Sequence, residues 1–131
     1  MSNSENRERA TQPEDLSRFF LERANTGDVE GLVALYESDA VLVAPGRQAI
    51  TGFQALREGF NRLLSGRPKF EGETQAAIRN GDLALTSTRF TTSTVGPEGK
   101  TIAMKTATVE VARRQPDGTW LWMIDQPNIL A

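Results

Sequence analysis

The amino-acid sequence predicts an α+β domain in which N-terminal helices pack on one face of an antiparallel sheet. Apolar residues recur at three- and four-residue steps in the first half of the chain, which is the spacing of amphipathic helices. From Lys69 onward β-branched residues become frequent, and turn sequences at residues 80–81, 96–99 and 116–118 follow one another at hairpin distances. Helices followed by a run of strands are the pattern of the α+β class.

Three helices are predicted. Residues 14–38 hold two of them and residues 51–65 hold the third, because apolar side chains recur there at helical spacing. Pro13 precedes two acidic residues and marks the first helix start, where negative charge faces the positive end of the helix dipole. Asp28 is the predicted N-cap of the second helix, and Tyr36 is placed at the C-terminal end of that helix.

One short strand and four long strands are predicted. Residues 41–43 form a short apolar run that is typical of a buried strand. The turn sequences divide the second half of the chain into four antiparallel strands, at about residues 70–79, 82–95, 100–114 and 119–126. We expect these strands to form a meander that the helices cover on one face.

Length and composition predict one domain behind a short tail. The chain has 131 residues, of which 38% are hydrophobic, and this is enough to build a single core. Residues 1–13 are polar and lack apolar periodicity, so we expect a flexible tail there and a single domain over residues 14–131.

The charge balance argues against two kinds of partner. Fifteen basic and seventeen acidic residues give a net charge of -2 without a long basic run, so nucleic acid is not an expected partner. No apolar run approaches the roughly 18 residues of a membrane span, and the N-terminus lacks the apolar core of a signal peptide. We therefore expect a soluble, cytoplasmic protein that has no membrane partner.

Two residue types are absent from the sequence. Without cysteine there is no thiolate nucleophile and no cysteine metal site, and without histidine there is no Ser-His pair and no histidine proton shuttle. We expect no metal and no cofactor. Any chemistry must use carboxylates, Lys, Arg, Tyr, Ser or Thr.

Three segments carry a resemblance to a known superfamily. They are residues 25–40 (NTGDVEGLVALYESDA), residues 51–58 (TGFQALRE) and residues 116–128 (PDGTWLWMIDQPN). With the order of predicted elements, they resemble the ketosteroid-isomerase-like superfamily, also called SnoaL-like or nuclear-transport-factor-two-like, over about residues 14–130. The resemblance implies a cone-shaped half barrel, in which three helices pack on a strongly curved, mainly antiparallel sheet.

The resemblance does not carry over the chemistry of the superfamily. At the positions where its steroid isomerases keep a tyrosine, a base and a protonated aspartate, this sequence has Phe20, Ala44 and Ala107. Its epoxide hydrolases keep an Arg-x-Asp pair where this chain has Lys105-Thr106-Ala107, and its dehydratases rely on histidine. These three chemistries are therefore disfavoured.

Asp125 is the candidate catalytic residue. It lies near the end of an apolar strand, and a carboxylate on an apolar concave face would have a raised pKa and could act as a general acid or base. Two-residue alternation places Asp125 on one face with Met123. The alternative is that Asp125 caps the following turn or pairs with a cation.

The same alternation places Trp120 and Trp122 on the opposite, outer face of the sheet. Soluble monomers seldom expose such an apolar area, so we expect a homodimer that buries these tryptophans between two copies of the chain.

A ligand pocket is expected between the helices and the concave face of the sheet. Aromatic residues at helical spacing can line it, although such residues more often form core. Cations inside strands could hold an anionic ligand, or could be solvated on the outer face. The candidate pocket residues are Phe20, Tyr36, Phe53, Phe60, Arg89, Lys105 and Met123.

Two functions remain open at the level of the sequence. One is a small-molecule-binding, cofactor-independent enzyme of isomerase or cyclase type, which acts on a small apolar or carbonyl compound with Asp125 as the proton carrier. The other is a non-catalytic ligand-binding or dimerisation module, which the loss of the three isomerase positions favours.

Overall fold

The computed structural model describes residues 7–44 and 46–130. Within these residues the chain forms three helices and nine strands. The elements are α1 (Pro13–Asn25), α2 (Val29–Val33), β1 (Tyr36–Ala44), β2 (Gln48–Thr51), α3 (Phe53–Leu64), β3 (Lys69–Thr74), β4 (Ile78–Asn80), β5 (Leu83–Thr86), β6 (Thr88–Val95), β7 (Thr101–Ala107), β8 (Val109–Arg114) and β9 (Trp120–Gln126).

The strands form two hydrogen-bonded sheets. Six strands are ordered β2-β1-β9-β8-β5-β4, and three are ordered β3-β6-β7. All pairs are antiparallel except β1 with β9, which run parallel. The helices pack against this mainly antiparallel arrangement, and the predicted α+β fold class is confirmed.

Three of the four long strands of the predicted meander are divided between the two sheets, and the fourth, at 119–126, is the single strand β9. The stretch predicted at 82–95 becomes β5 and β6, interrupted at Ser87, and the stretch at 100–114 becomes β7 and β8, interrupted at Thr108. The two interruptions are joined, because the Ser87 hydroxyl donates to the Thr108 carbonyl oxygen at 2.8 Å. Strands that pass from one sheet to the other make the corners of such folds, so these breaks bend the sheet around the helices.

Two predictions near the end of the helical region are wrong. Tyr36 was expected at the end of the second helix, but α2 ends at Val33 and Tyr36 is the first residue of β1. The predicted short strand at 41–43 is therefore the end of a nine-residue strand. β1 then forms a hairpin with β2 at Gln48–Thr51, a strand that was not predicted.

The prediction for the tryptophans is also wrong. Trp120 and Trp122 keep only 4% and 2% of their surface exposed within a single chain. The reason is a bulge between β8 and β9, where Ala112 pairs with Trp122 and the next residue back, Val111, pairs with Ile124. Met123 is the extra residue, and it reverses the alternation so that Trp122 and Asp125 face the same side.

The predicted tail at residues 1–13 lies partly outside the described residues, and its flexibility stays a prediction. Of the part that the structure describes, Ala10 is buried and its carbonyl oxygen accepts the backbone N–H of Trp120 at 2.9 Å. Arg7 forms an ion pair of 2.6 Å with Asp28, the residue that caps α2. Within the described ranges, none of the helices has the length and apolar character needed to cross a membrane.

Candidate functional site

A cavity of about 590 Å³ lies between the helices and the inner face of the two sheets. Its volume is in the range of pockets that hold small molecules. The apolar part of its lining comes from α1, α3, β1, β2 and the strands of the smaller sheet, and consists of Phe20, Leu42, Val43, Ala44, Ile50, Leu56, Phe60, Leu63, Phe70, Phe90, Ile102 and Met104.

The polar part of the lining is concentrated on the sheet. Asp125 and Glu110 both line the cavity, and they are directly paired across β8 and β9. Glu110 is paired in turn with Thr86 on β5, and Asp125 with Leu42 on β1. The four side chains therefore form one row across the inner face of the six-stranded sheet, with the two carboxyl groups at its centre.

Asp125 is 4% exposed and has one oxygen bound and one oxygen free. The Tyr36 hydroxyl donates to Oδ2, whereas Oδ1 has no hydrogen-bond partner among the described residues. Burial raises the pKa of Asp125 to about 7, and the hydrogen bond from Tyr36 opposes that rise. A buried carboxyl oxygen without a partner is costly to leave unsatisfied, so Oδ1 is ready to bind a group from a ligand.

Glu110 is 3% exposed and is the site residue that sequence reasoning missed. Burial is the main reason that its pKa rises to about 8, the charge of Asp125 adds to the rise, and hydrogen bonds with Thr108 and Thr86 oppose it. The strand of Glu110 does alternate, with valines at 109 and 111. That alternation could have placed Glu110 on a single face, but the bulge decides that this face also carries Asp125.

Tyr36 contacts Asp125, and its side chain packs against two aromatic rings. Its ring centroid is 5.4 Å from that of Trp122 and 5.8 Å from that of Phe60. Burial raises the pKa of Tyr36 well above its ordinary value, and the neighbouring Asp125 adds to this rise. The phenol therefore stays neutral and acts as a hydrogen-bond donor to Asp125.

Five threonines also line the cavity: Thr88, Thr92 and Thr94 on β6, Thr106 on β7, and Thr108 at the interruption between β7 and β8. Four of them belong to the smaller sheet, which also supplies apolar lining residues, because Thr92 pairs with Met104 and Thr94 pairs with Ile102. Hydroxyl groups and apolar groups therefore lie side by side on this wall of the cavity.

The structure brings together only some of the residues that the sequence suggested. Phe20, Phe60 and Asp125 line the cavity. Tyr36 is not a lining residue, but it hydrogen-bonds Asp125, which is. The others are not among the lining residues: Phe53 is 40% exposed at the start of α3, Arg89 and Lys105 are exposed on β6 and β7, and Met123 is the bulge residue of β9.

A second, more open groove of about 740 Å³ lies at the far end of the six-stranded sheet. Its charged groups already bind one another. Arg113 donates to both carboxylate oxygens of Glu37, at 2.9 and 3.1 Å, and Arg114 forms an ion pair of 2.5 Å with Asp82. These satisfied pairs leave the aromatic cavity as the better candidate for a functional site.

Comparison with known proteins gives one family and a set of similar folds. The model of the SnoaL-like domain family matches residues 17–122, which is most of the chain. No curated protein matches the sequence.

Solved structures with this fold share about a fifth of its residues. A ketosteroid isomerase-like protein from Erwinia carotovora atroseptica is 20% identical, with 90% of this chain and 94% of that chain covered and a TM-score of 0.77. A nuclear-transport-factor-two-like protein with a cystatin-like fold, from Novosphingobium aromaticivorans, is 19% identical, with 89% and 79% covered and a TM-score of 0.75. At this level of identity the similarity concerns the fold.

Proposed function

This chain belongs to the SnoaL-like domain family, and we propose that it binds a small apolar or carbonyl compound and moves a proton on it without a cofactor. Asp125 is the proton carrier of this proposal. The reaction type is isomerisation or cyclisation, because such reactions of carbonyl compounds need a proton taken from carbon and a proton returned. The fold of the family is compatible with several activities, so the activity has to be inferred from the site itself.

One observation carries the proposal. Asp125 Oδ1 is buried at the wall of an apolar cavity and has no hydrogen-bond partner among the described residues, while the other oxygen is held by Tyr36. A carboxylate whose pKa lies near neutrality can both accept and release a proton at ordinary pH. Rings and aliphatic groups make up most of the lining, and in such surroundings a polar contact between a ligand and Asp125 is stronger than in water.

Hydrogen exchange into simple ketones tests the proposal. The purified protein is incubated in D2O with cyclohexanone and with 2-tetralone, and deuterium uptake beside the carbonyl group is followed by NMR. We expect exchange above the buffer rate, and a loss of about 10²- to 10⁴-fold in Asp125→Asn, which keeps the shape of the side chain but not its basicity. Asp82→Asn, in the open groove, is the matched control and should exchange at the wild-type rate.

Thermal shift distinguishes binding from catalysis. A ligand present at 100 times its dissociation constant stabilises the folded protein by about 2.7 kcal/mol, so both ketones should raise the melting temperature where they bind. A ketone that binds wild type and Asp125→Asn equally, without any exchange, would contradict the enzyme proposal and leave a non-catalytic binding module.

The outer face of the six-stranded sheet supports a second role, association of two copies of the chain. Apolar residues of five strands are paired one after another across this face, and three of them are clearly exposed. An apolar row of this kind is typical of a surface that a partner covers. In strand order from β4 to β1 the row consists of Ile78, Leu85, Val111, Ile124 and Val41.

The dimer proposed here uses that row in place of the two tryptophans. We expect sedimentation at micromolar concentration to give twice 14.4 kDa, and Ile124→Lys to give the monomer, because a charge at the centre of the row is costly to bury. Val95→Lys, on the smaller sheet, is the control and should remain dimeric. A wild-type monomer would contradict this proposal without affecting the proton-transfer proposal.

A further inference from the structure

Two carboxyl groups, and not one, face the cavity at its polar end. Asp125 and Glu110 are direct cross-strand partners on β9 and β8, and both are more than nine-tenths buried. The groups in the same row are Thr86 and Leu42, and the next row holds Tyr36, so none of these neighbours is basic. Arg62 of α3 is the only basic residue among the described residues that line the cavity, and it is exposed.

Two buried carboxylates at directly opposite positions repel each other strongly, so they favour a state in which one proton is shared between them. A carboxylic acid donates its proton from one oxygen only. The hydrogen bonds around Glu110 determine which of its two oxygens carries the proton.

Two hydrogen bonds in series, from Trp122 to Thr86 and from Thr86 to Glu110, fix which oxygen of Glu110 carries the proton. The indole N–H of Trp122 can only donate, and it donates to the Thr86 hydroxyl oxygen at 3.0 Å. The single Thr86 proton is then directed to Glu110 Oε1, which lies 2.7 Å from the Thr86 oxygen. Because Oε1 accepts this hydrogen bond, the acid proton of Glu110 belongs on Oε2.

The hydroxyl of Thr108 also hydrogen-bonds Glu110, but it imposes no direction. Its oxygen accepts the backbone N–H of Thr88 at 3.0 Å, which leaves its own proton and a second lone pair available. Thr108 can therefore donate to the carboxylate form of Glu110 or accept from the acid form. It stabilises both forms, whereas Thr86 fixes the oxygen that carries the proton.

Asp125 is held in the same manner. The Tyr36 hydroxyl donates to Oδ2, so the free Oδ1 is the oxygen available to take a proton. Each carboxyl group is thus fixed at one oxygen by a donor from the core, Oδ2 of Asp125 by Tyr36 and Oε1 of Glu110 by Thr86. The other two oxygens differ in role, because Oδ1 accepts a proton and Oε2 carries one.

We propose that Glu110 is the second catalytic group of the site, that it donates a proton from Oε2 while Asp125 accepts one at Oδ1, and that Thr86 and Trp122 are positioning residues that set this polarity. The inference rests on the proposed function. It names the substrate class more closely: a ketone or aldehyde with a hydrogen on the adjacent carbon, which contacts both carboxyl groups at once.

The step balances without any further reactant. Oδ1 of Asp125 takes the hydrogen from the carbon beside the carbonyl group, and the electrons of that C–H bond form the C=C bond of an enol. The carbonyl π bond opens toward oxygen, and that oxygen takes the proton of Glu110 Oε2. Asp125 ends as the acid and Glu110 as the carboxylate, and the reverse transfers, at the same carbon or a conjugated one, restore both groups and complete an exchange or an isomerisation.

The pH profile of deuterium exchange into 2-tetralone tests the roles of the two groups. Exchange requires ionised Asp125 with protonated Glu110, so we expect a bell-shaped profile whose two limbs belong to the pair. Glu110→Gln should lower the maximal rate at least about 100-fold. Thr86→Val should move the alkaline limb to higher pH, because the lost hydrogen bond had lowered the pKa of Glu110. Thr86→Ser should restore the wild-type limb.

Thr91→Val, on β6 and outside the cavity lining, is the control and should keep the wild-type profile. If Glu110→Gln exchanges at the wild-type rate while Asp125→Asn does not, the role of Glu110 is overturned and the proposed function stands. If Thr86→Val leaves the alkaline limb in place, the positioning role is overturned. If wild type shows no exchange, the proposed function fails, and this inference fails with it.

Discussion

The six-stranded sheet carries two kinds of acidic residue, which differ in burial, in hydrogen-bond partners and in pKa. On β1, Tyr36 binds buried Asp125, while the next residue, Glu37, lines the open groove and accepts hydrogen bonds from Nε and Nη2 of Arg113. On β8, Glu110 lies in the cavity, and Arg113 lies three residues further along at the groove. The pKa of Glu37 is lowered, chiefly by the hydrogen bond from Arg113, whereas burial raises the pKa of Glu110.

This difference separates structural acids from candidate functional acids in one molecule. When an arginine binds both oxygens of a carboxylate, neither oxygen remains without a hydrogen bond for a ligand to form. A buried acid that has only neutral donors keeps its proton near neutral pH and can exchange it. Substitution of one group in each environment tests this difference.

The largest expected effect is on the pH dependence of stability. In the unfolded chain Asp125 and Glu110 lose their protons near their ordinary pKa values of 3.8 and 4.5, but in the folded protein only near pH 7 to 8. The folded state therefore holds more protons between these limits, and the free energy of unfolding falls as pH rises through that window. Each pKa unit corresponds to about 1.4 kcal/mol, so the loss should reach a few kcal/mol.

Urea unfolding at pH 5.5, 7 and 8.5 measures this loss. The chain contains no histidine, so the slope in this window reports mainly on the buried pair. Asp125→Asn should flatten the slope, because it removes one acid and the charge that raises the pKa of the other. Glu37→Gln should leave the slope unchanged, since the pKa of Glu37 is lowered and its stabilisation is lost only at acid pH. A flat wild-type profile would contradict the buried pair.

A smaller effect is expected from Tyr36→Phe. The substitution removes the one hydrogen-bond donor to the Asp125 side chain found among the described residues, and an unsatisfied buried carboxylate should cost about 1–3 kcal/mol of unfolding free energy at pH 8.5. It should also raise the pKa of Asp125, because this hydrogen bond lowers it. In the background of Asp125→Asn the cost of Tyr36→Phe should shrink, and a double-mutant cycle by urea unfolding measures the coupling. Additive effects would contradict the contact.

The smallest effect is expected from Arg113→Met in the groove. Water screens this exposed pair, so the urea midpoint should shift by little more than the error of measurement, and 1 M NaCl should remove the shift. The cost of Tyr36→Phe should not respond to salt in this way. A large, salt-independent cost of Arg113→Met would show that the groove is more tightly organised than its exposure indicates.

The sequence predicted the fold better than the site. Signals for helices and turns are local, whereas the site depends on contacts between residues that are far apart in the chain. Helical spacing and turn sequences act over a few residues, so α1, α3 and the order of the strands could be predicted from them. The interruptions at Ser87 and Thr108 could not, because they depend on a hydrogen bond between two strands. The beginning of β1 at Tyr36 depends on its pairing with β9.

The site depends on one irregularity that no local pattern contains. Asp125 was identified because an acid near the end of an apolar strand is unusual, but strict alternation placed it opposite to Trp122. The bulge at Met123 puts the two on the same face and aligns Glu110 with Asp125. A sequence in which every residue fits a strand gives no sign of which residue is extra.

The buried carboxyl pair also affects a property that is usually read directly from composition. The isoelectric point of about 5.2 counts both acids as ordinary side chains. In the folded protein both stay protonated at that pH, so the native molecule carries up to two fewer negative charges and becomes neutral at a higher pH. Unfolding releases these protons, and the native form should therefore focus at a more basic position than the same chain in urea.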